Sequence, residues 1–192
     1  MTRQSQPDTT EISPRGPTQV RRALDQAFTA LIGDTPLIDI AGLGVYTEHD
    51  GEWLTACAQT FENLEAQQAA KPEWARDYRW SQGEWPRHDV DLRGPNELTN
   101  LMREITALRK RFETEEGLRV WRYVVAEWVV QELSDMLVEG YFAEYSPASV
   151  LTFESNQVEV SDETKIEWIS QMNSQDLVDD YRRFLRGDLT LP

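Results

Sequence analysis

Cysteine, histidine and lysine are the residues this 192-residue chain has least of. There is one cysteine, Cys57, two histidines, His49 and His88, and three lysines, Lys71, Lys110 and Lys165. A lone cysteine excludes an internal disulfide and any cysteine-rich zinc centre. Two histidines without helical HxxxH spacing supply no recognisable metal motif. Long hydrophobic runs are absent as well. The most apolar stretch, Leu118 to Val130, is interrupted by Arg119, Arg122 and Glu127, short of the ~18 uncharged residues that a membrane span needs. Met1 to Pro17 contains no apolar run of the kind a secretory leader carries, so the expected location is cytoplasmic, or in a particle assembled in a cytoplasm. No GxSxG and no glycine-rich phosphate loop occurs, and Gly42-Leu43-Gly44 is too short to be a nucleotide fingerprint. Accordingly no catalytic residue is nominated, and neither a cofactor nor a metal is expected.

What is present is acid. Thirty-four Asp and Glu against nineteen Lys and Arg give a net charge of −15, and sixteen of the basic residues are Arg. Such a surface disfavours nonspecific contact with nucleic acid or an anionic membrane. The scarcity of Lys points to a salt-adapted or GC-rich microbial source. The charge falls in two regions: residues 34–70 and residues 117–163 each carry a net −7, and the remainder nearly balances.

Periodicity predicts a mainly α domain, an irregular bundle of five to six helices around a central helix at 118–143, with a minor β-hairpin. Residues 1–16 read as a disordered polar tail, leaving 17–192 as a single helical domain. Gly16-Pro17 opens a first helix with the stripe Val20, Leu24, Ala27, Phe28 and Leu31, and Gly33 ends it. Residues 34–47 read as a loop holding one or two short strands. A second helix is expected from about Asp50, because Trp53, Cys57, Phe61 and Leu64 recur at helical spacing, which makes Cys57 a core residue. Leu98, Leu101, Ile105, Leu108 and Phe112 form a coiled-coil-like seam that stops at Gly117, so a bundle helix is expected there and not a rod. Trp121, Val124, Val125, Trp128, Val129, Leu133, Met136, Leu137 and Tyr141 make the central helix apolar over more than half its circumference. Residues 149–160 alternate and read as the hairpin. Two short helices follow, the last capped at Ser174 and stopped at Gly187.

Residues 71–95 break every period. They interleave Trp74, Tyr78, Trp80 and Trp85 with Arg76, Arg79, Arg87 and Arg93, and read as a long Trp/Arg-rich loop of nearly balanced charge. Trp and Arg are the side chains most enriched at protein-interface hot spots. Trp74, Trp80 and Trp85 are therefore the expected partner contacts, with Leu98, Leu101, Ile105 and Leu108 as an oligomerisation face. The function these features favour is a non-catalytic binding or structural subunit of a larger protein assembly, such as a virion component, an effector-complex subunit or an adaptor. Its partner is a protein or a second copy of the chain. Direct nucleic-acid contact and membrane contact are not expected. Two alternatives stand beside it. The two acidic regions could imitate a phosphate array and occupy a nucleic-acid-binding protein. The pairs His49-Asp50 and His88-Asp89, with Asp91, could converge as a metal-assisted or acid–base site.

Overall fold

The computed structural model describes residues 16–48, 53–88, 97–110, 112, 114–155 and 160–191. Its organising element is a strand, β1 (Ile40–Glu48), which lies inside a four-stranded sheet of order β3-β2-β1-β4. Strand β2 (Trp53–Thr60) pairs antiparallel with β1, and the two-residue β3 (Arg87–His88) pairs antiparallel with β2. Strand β4 (Val150–Ser155) lies parallel to β1, with Gly42 opposite Val150 and Thr47 opposite Ser155. Among the described residues seven α-helices surround this sheet: α1 (Gly16–Ile32), α2 (Phe61–Ala70), α3 (Ala75–Trp80), α4 (Glu97–Arg109), α5 (Glu115–Val138), α6 (Asp162–Met172) and α7 (Gln175–Leu185).

An all-helical bundle with a minor hairpin is thus not the fold; a mixed four-stranded sheet runs through its centre. Two segments account for the difference. Residues 53–60 form a strand although Trp53, Cys57, Phe61 and Leu64 have helical spacing. Leu54 to Thr60 are buried without exception, and a strand covered on both faces loses the alternation that would identify it. Helix begins only at Phe61, where the Thr60 hydroxyl accepts the Asn63 N–H at 3.3 Å. Residues 150–155 do form a strand, but its partner is β1 and not a neighbouring arm. Of the hairpin turn expected at Ser155-Asn156, Ser155 ends β4 and Asn156 lies outside the described residues; of the tail read at 1–16, residues 1–15 lie outside them and Gly16 begins α1.

The register divides the sheet into two faces. Leu43 and Val45, with Leu54, Ala56 and Ala58 of β2 and Leu151 and Phe153 of β4, point toward α1, α4, α5 and α6. The α1 stripe (Val20, Leu24, Ala27, Phe28, Leu31) and the α4 seam are buried in this layer, and α5 contributes Trp121, Val125, Val129, Leu133 and Met136. Helix α5 ends at Val138, five residues before the expected stop. Gly140 takes φ +83°, its N–H bonds to the Leu137 carbonyl and the Tyr141 N–H reaches back to Met136. That pairing satisfies the last carbonyls of the helix and turns the chain sharply.

The opposite face is unusually polar for an interior. Thr55, Cys57 and Gln59 of β2 and Thr152 of β4 are all buried there, flanking Gly42 and Gly44. The two glycines leave a groove that residues 82–85 fill. A Cβ on Gly42 would lie 2.7 Å from the Trp85 ring, and one on Gly44 would lie 2.8 Å from the Gln82 amide. A glutamine relay fastens this layer: Gln59 Nε2 donates to Gln67 Oε1 at 2.7 Å, and Gln67 Nε2 donates to the Glu84 carbonyl at 3.0 Å.

Gly42→Ala and Gly44→Ala should each lower stability in urea unfolding by about 1–3 kcal/mol, because the added methyl displaces the Trp85 ring and Val150 at one site and the Gln82 amide and Thr152 at the other. Gly83→Ala, which meets open space, should stay within ~0.5 kcal/mol of the parent protein.

Candidate functional site

The residues nominated from sequence are scattered by the fold. Trp80 and Trp85 are each 2% exposed and belong to the chain's own core, whereas Trp74 is 45% exposed. Residues 71–88 of the segment form α3 flanked by two 3₁₀ turns (Pro72–Trp74 and Gln82–Glu84) and followed by β3, and residues 89–95 lie outside the described residues. Arg76 and Arg79 are paired with carboxylates of the same chain, and Arg87 donates to the Leu31 and Ile32 carbonyls and the Thr35 hydroxyl. Arg76 Nε donates to Asp180 at 2.7 Å, Arg79 lies 3.5 Å from the same carboxylate, and Trp80 Nε1 donates to it at 2.9 Å. Trp85 Nε1 donates to the Tyr78 carbonyl at 3.1 Å. Leu98, Leu101 and Ile105 are buried and Leu108 half-buried, so the seam faces α1 and β2 of the same chain.

His88 is placed on β3; His49, Asp50, Asp89 and Asp91 lie outside the described residues. The His88 Nε2 is 3.3 Å from the Gln82 carbonyl and its ring meets Tyr46 edge-on at 5.7 Å. The Gln82 backbone N–H in turn donates to the Glu154 carboxylate. Burial pushes the Glu154 carboxyl up from its ordinary range, against the opposing influence of that hydrogen bond and of Lys165, while Asp77 adds to the rise. Gln82 is fully buried, with its side chain on Gly44 and its Oε1 3.7 Å from the Cys57 sulfur. These contacts make Gln82 a structural hub that holds the 81–88 segment on the sheet. Among the described residues no group of three or more His, Cys, Asp or Glu is placed to hold a metal ion, and no helix is long and apolar enough to cross a membrane.

A cleft of about 180 Å³ opens at the other end of the sheet, where β4 begins. Its floor is Leu43, Val150 and Leu151, and its walls are Leu137 and the Phe142–Ser149 turn on one side and Met172 to Leu177 on the other. Each wall has a specific support. The turn after Gly140 stacks Tyr141, Phe142 and Tyr145 edge to face, at 4.9 and 5.4 Å, and Ser149 Oγ donates to the Ile40 carbonyl at 2.6 Å. Asn173 mimics a further strand at the edge of β4, accepting the Leu151 N–H at 2.9 Å and donating to the Leu151 carbonyl at 2.7 Å. Burial raises the phenol pKa of Tyr145, and burial with a hydrogen bond to Asp25 pushes Tyr141 up to about 12. Both rings therefore stay neutral at any physiological pH. Leu137 is 37% exposed at the rim and Val138, beside it, is 83% exposed. No single segment contributes more than part of this lining, and periodicity reports local faces only, which is why the cleft is not visible in the sequence.

Comparison with known proteins adds the family. The chain belongs to the family described as a domain of unknown function (DUF4303), whose model matches residues 20–174. That stretch runs from Val20 within α1 to Ser174, the residue that precedes α7. No curated protein and no solved structure matches the chain.

Two outcomes follow from the geometry. Trp80→Ala and Trp85→Ala should each cost about 3–5 kcal/mol in denaturant unfolding, as expected for deleting a buried indole. Glu154 behaves with the opposite sign. Because its folded pKa is raised, the stability it contributes is present below the ordinary carboxyl range and lost as pH rises through the folded pKa. Glu154→Gln, which keeps an acceptor for the Gln82 N–H, should therefore raise the melting temperature at pH 7, and the gain should vanish in acid. A constant gain at all pH values would contradict this.

Proposed function

We propose that this DUF4303 chain is a non-catalytic binding subunit of a protein assembly. The observation that carries the reading is the cleft at the start of β4, with Leu137 and Val138 standing in solvent beside it. Isolated exposed apolar side chains are ordinary on any protein surface. An 83% exposed valine next to a preformed concavity with leucine, phenylalanine and methionine walls is a more specific arrangement, since interface anchors are large side chains seated in such pockets. The volume supports a protein ligand. Cavities that enclose cofactors or metabolites run to roughly 300–1,000 Å³, whereas about 180 Å³ suits a single large side chain. Trp74, the one nominated tryptophan that reaches the surface, is a secondary contact in this reading. Trp80, Trp85 and the α4 seam hold the platform from inside.

The polar cluster around Gln82 supports the same reading by what its groups are already occupied with. His88 and Glu154 each engage the Gln82 backbone, and Cys57 bonds inward to the Gly44 carbonyl at 3.4 Å.

Size-exclusion chromatography with light scattering on the full chain, drawn from the cells that produce it at their own salt concentration, tests the proposal. A binding subunit elutes in a complex of mass well above its own 22.2 kDa, and Val138→Glu, at a side chain 83% exposed, should shift it toward that mass with little change in melting temperature. A chain that runs alone at its own mass under these conditions would overturn the reading.

A further inference from the structure

The surroundings of the cleft carry a consistent sign of charge. Between Arg122 and Lys165 the sequence contains no Lys or Arg, and this stretch supplies the C-terminal half of α5, the Phe142–Ser149 wall and the floor strand. No charged residue lines the cavity itself. Exposed acids adjoin the lining on both sides in the chain: Glu144 precedes Tyr145 on one wall, and Asp176 precedes Leu177 on the other. Glu139, next to Val138, is met at 2.5 Å by Arg21 of α1, the one cation that reaches this corner from elsewhere among the described ion pairs. An apolar hole thus has two exposed acidic neighbours, Glu144 and Asp176, beside its two walls.

We infer that the cleft receives a large apolar side chain from a partner protein segment whose neighbouring residues are Arg or Lys. This rests on the binding-subunit reading and adds the chemistry of the partner. An apolar anchor alone would be served by an uncharged rim. A basic segment alone would be served by any acidic face of a chain with net charge −15. Only a segment with both uses the cavity and its rim together, and charge of opposite sign also steers its approach. Nucleic acid is repelled by the same rim.

The test uses the full chain and a synthetic peptide carrying leucines between arginine pairs. Two control peptides accompany it, one with the leucines replaced by serine and one with the arginines replaced by glutamate. Binding is followed by calorimetry and by backbone amide shifts. The parent peptide should bind and perturb the amides of Leu151, Asn173, Ser174 and Leu177, and both controls should bind at least ~10-fold more weakly, a difference of about 1.4 kcal/mol. Ser174→Phe fills the mouth from a position whose side chain makes no capping hydrogen bond, so α7 keeps its start. It should abolish binding with the melting temperature retained. Glu144→Lys with Asp176→Lys should weaken binding and flatten its dependence on salt.

Equal binding of the serine control would show charge adhesion without the cavity and would overturn the inference. Equal binding by the glutamate control, or amide shifts elsewhere on the surface, would overturn it too. The two proposals fail separately. An assembly in cells that survives Ser174→Phe removes this inference and leaves the binding-subunit reading intact. A chain that is monomeric in cells yet takes the peptide in the cleft removes the reading and leaves the recognition chemistry.

Discussion

A guanidinium buried to 1% exposure is tolerable only if its donors find oxygens, and at Arg76 that requirement brings three separate parts of the chain together. Its Nε meets Asp180 of α7, its Nη1 meets the Asp188 carboxylate at 2.8 Å and the carbonyls of Asp188 and Thr190, and its backbone N–H meets the Leu189 carbonyl at 2.8 Å. Asp180 is simultaneously the acceptor for Trp80 Nε1. The node therefore locks α3 against α7 and the last described turn of the chain. Locking α3 is what holds Gln82 and Trp85 down on Gly44 and Gly42, and so closes the polar face of the sheet. A pair of isolated charges in that position would be a net cost; the network is sustained by the number of oxygens it recruits.

This also explains why the Trp/Arg segment looked like surface. In sequence, four tryptophans or tyrosines among four arginines suggest an interface hot spot. In the fold the same composition makes an interface, but one internal to the chain, between the 75–88 segment and α7. The partners, Asp180 and Asp188, lie about a hundred residues downstream, and no local pattern announces them. What local patterns did convey were the helices with clean stripes and ends: α1, α4, α5 and α7 lie where periodicity puts them, give or take a few residues at α5. Burial did not decide which strands were legible, since Ile40 to Val45 are as buried as Leu54 to Thr60. Glycines among the apolar residues at 34–47 mark short extended stretches, whereas residues 53–60 hold no glycine or proline and their apolar spacing mimics a helix. Gly42-Leu43-Gly44 carried real information of a different kind from a phosphate loop: spacing of two on a strand places both glycines on one face, where each admits a side chain onto the backbone.

The acid distribution takes on a clearer meaning once mapped. Part of it is internal bookkeeping of charge, as at Asp180, Glu132 and Glu139, each paired with a buried or half-buried arginine. Glu144, beside the cleft, lies in a stretch of chain that holds no Lys or Arg. Net charge by itself said something about solubility; position relative to a cavity says something about recognition.

The parallel pairing of β1 with β4 has a consequence in time. Strand β1 acquires its first neighbour within a dozen residues, when β2 follows it, but its second arrives only with Val150, after four helices have intervened. At ~5–20 residues per second, a ribosome needs on the order of ten seconds to travel from the end of β2 to the end of β4. Through that interval the open edge of β1, an exposed row of backbone donors and acceptors, must be carried without its partner. Two glycines at that edge leave its register only weakly specified until β4 arrives. The feature that seats Trp85 and Gln82 in the finished protein thus leaves the nascent edge open to a wrong register until residues 82–85 and β4 are in place.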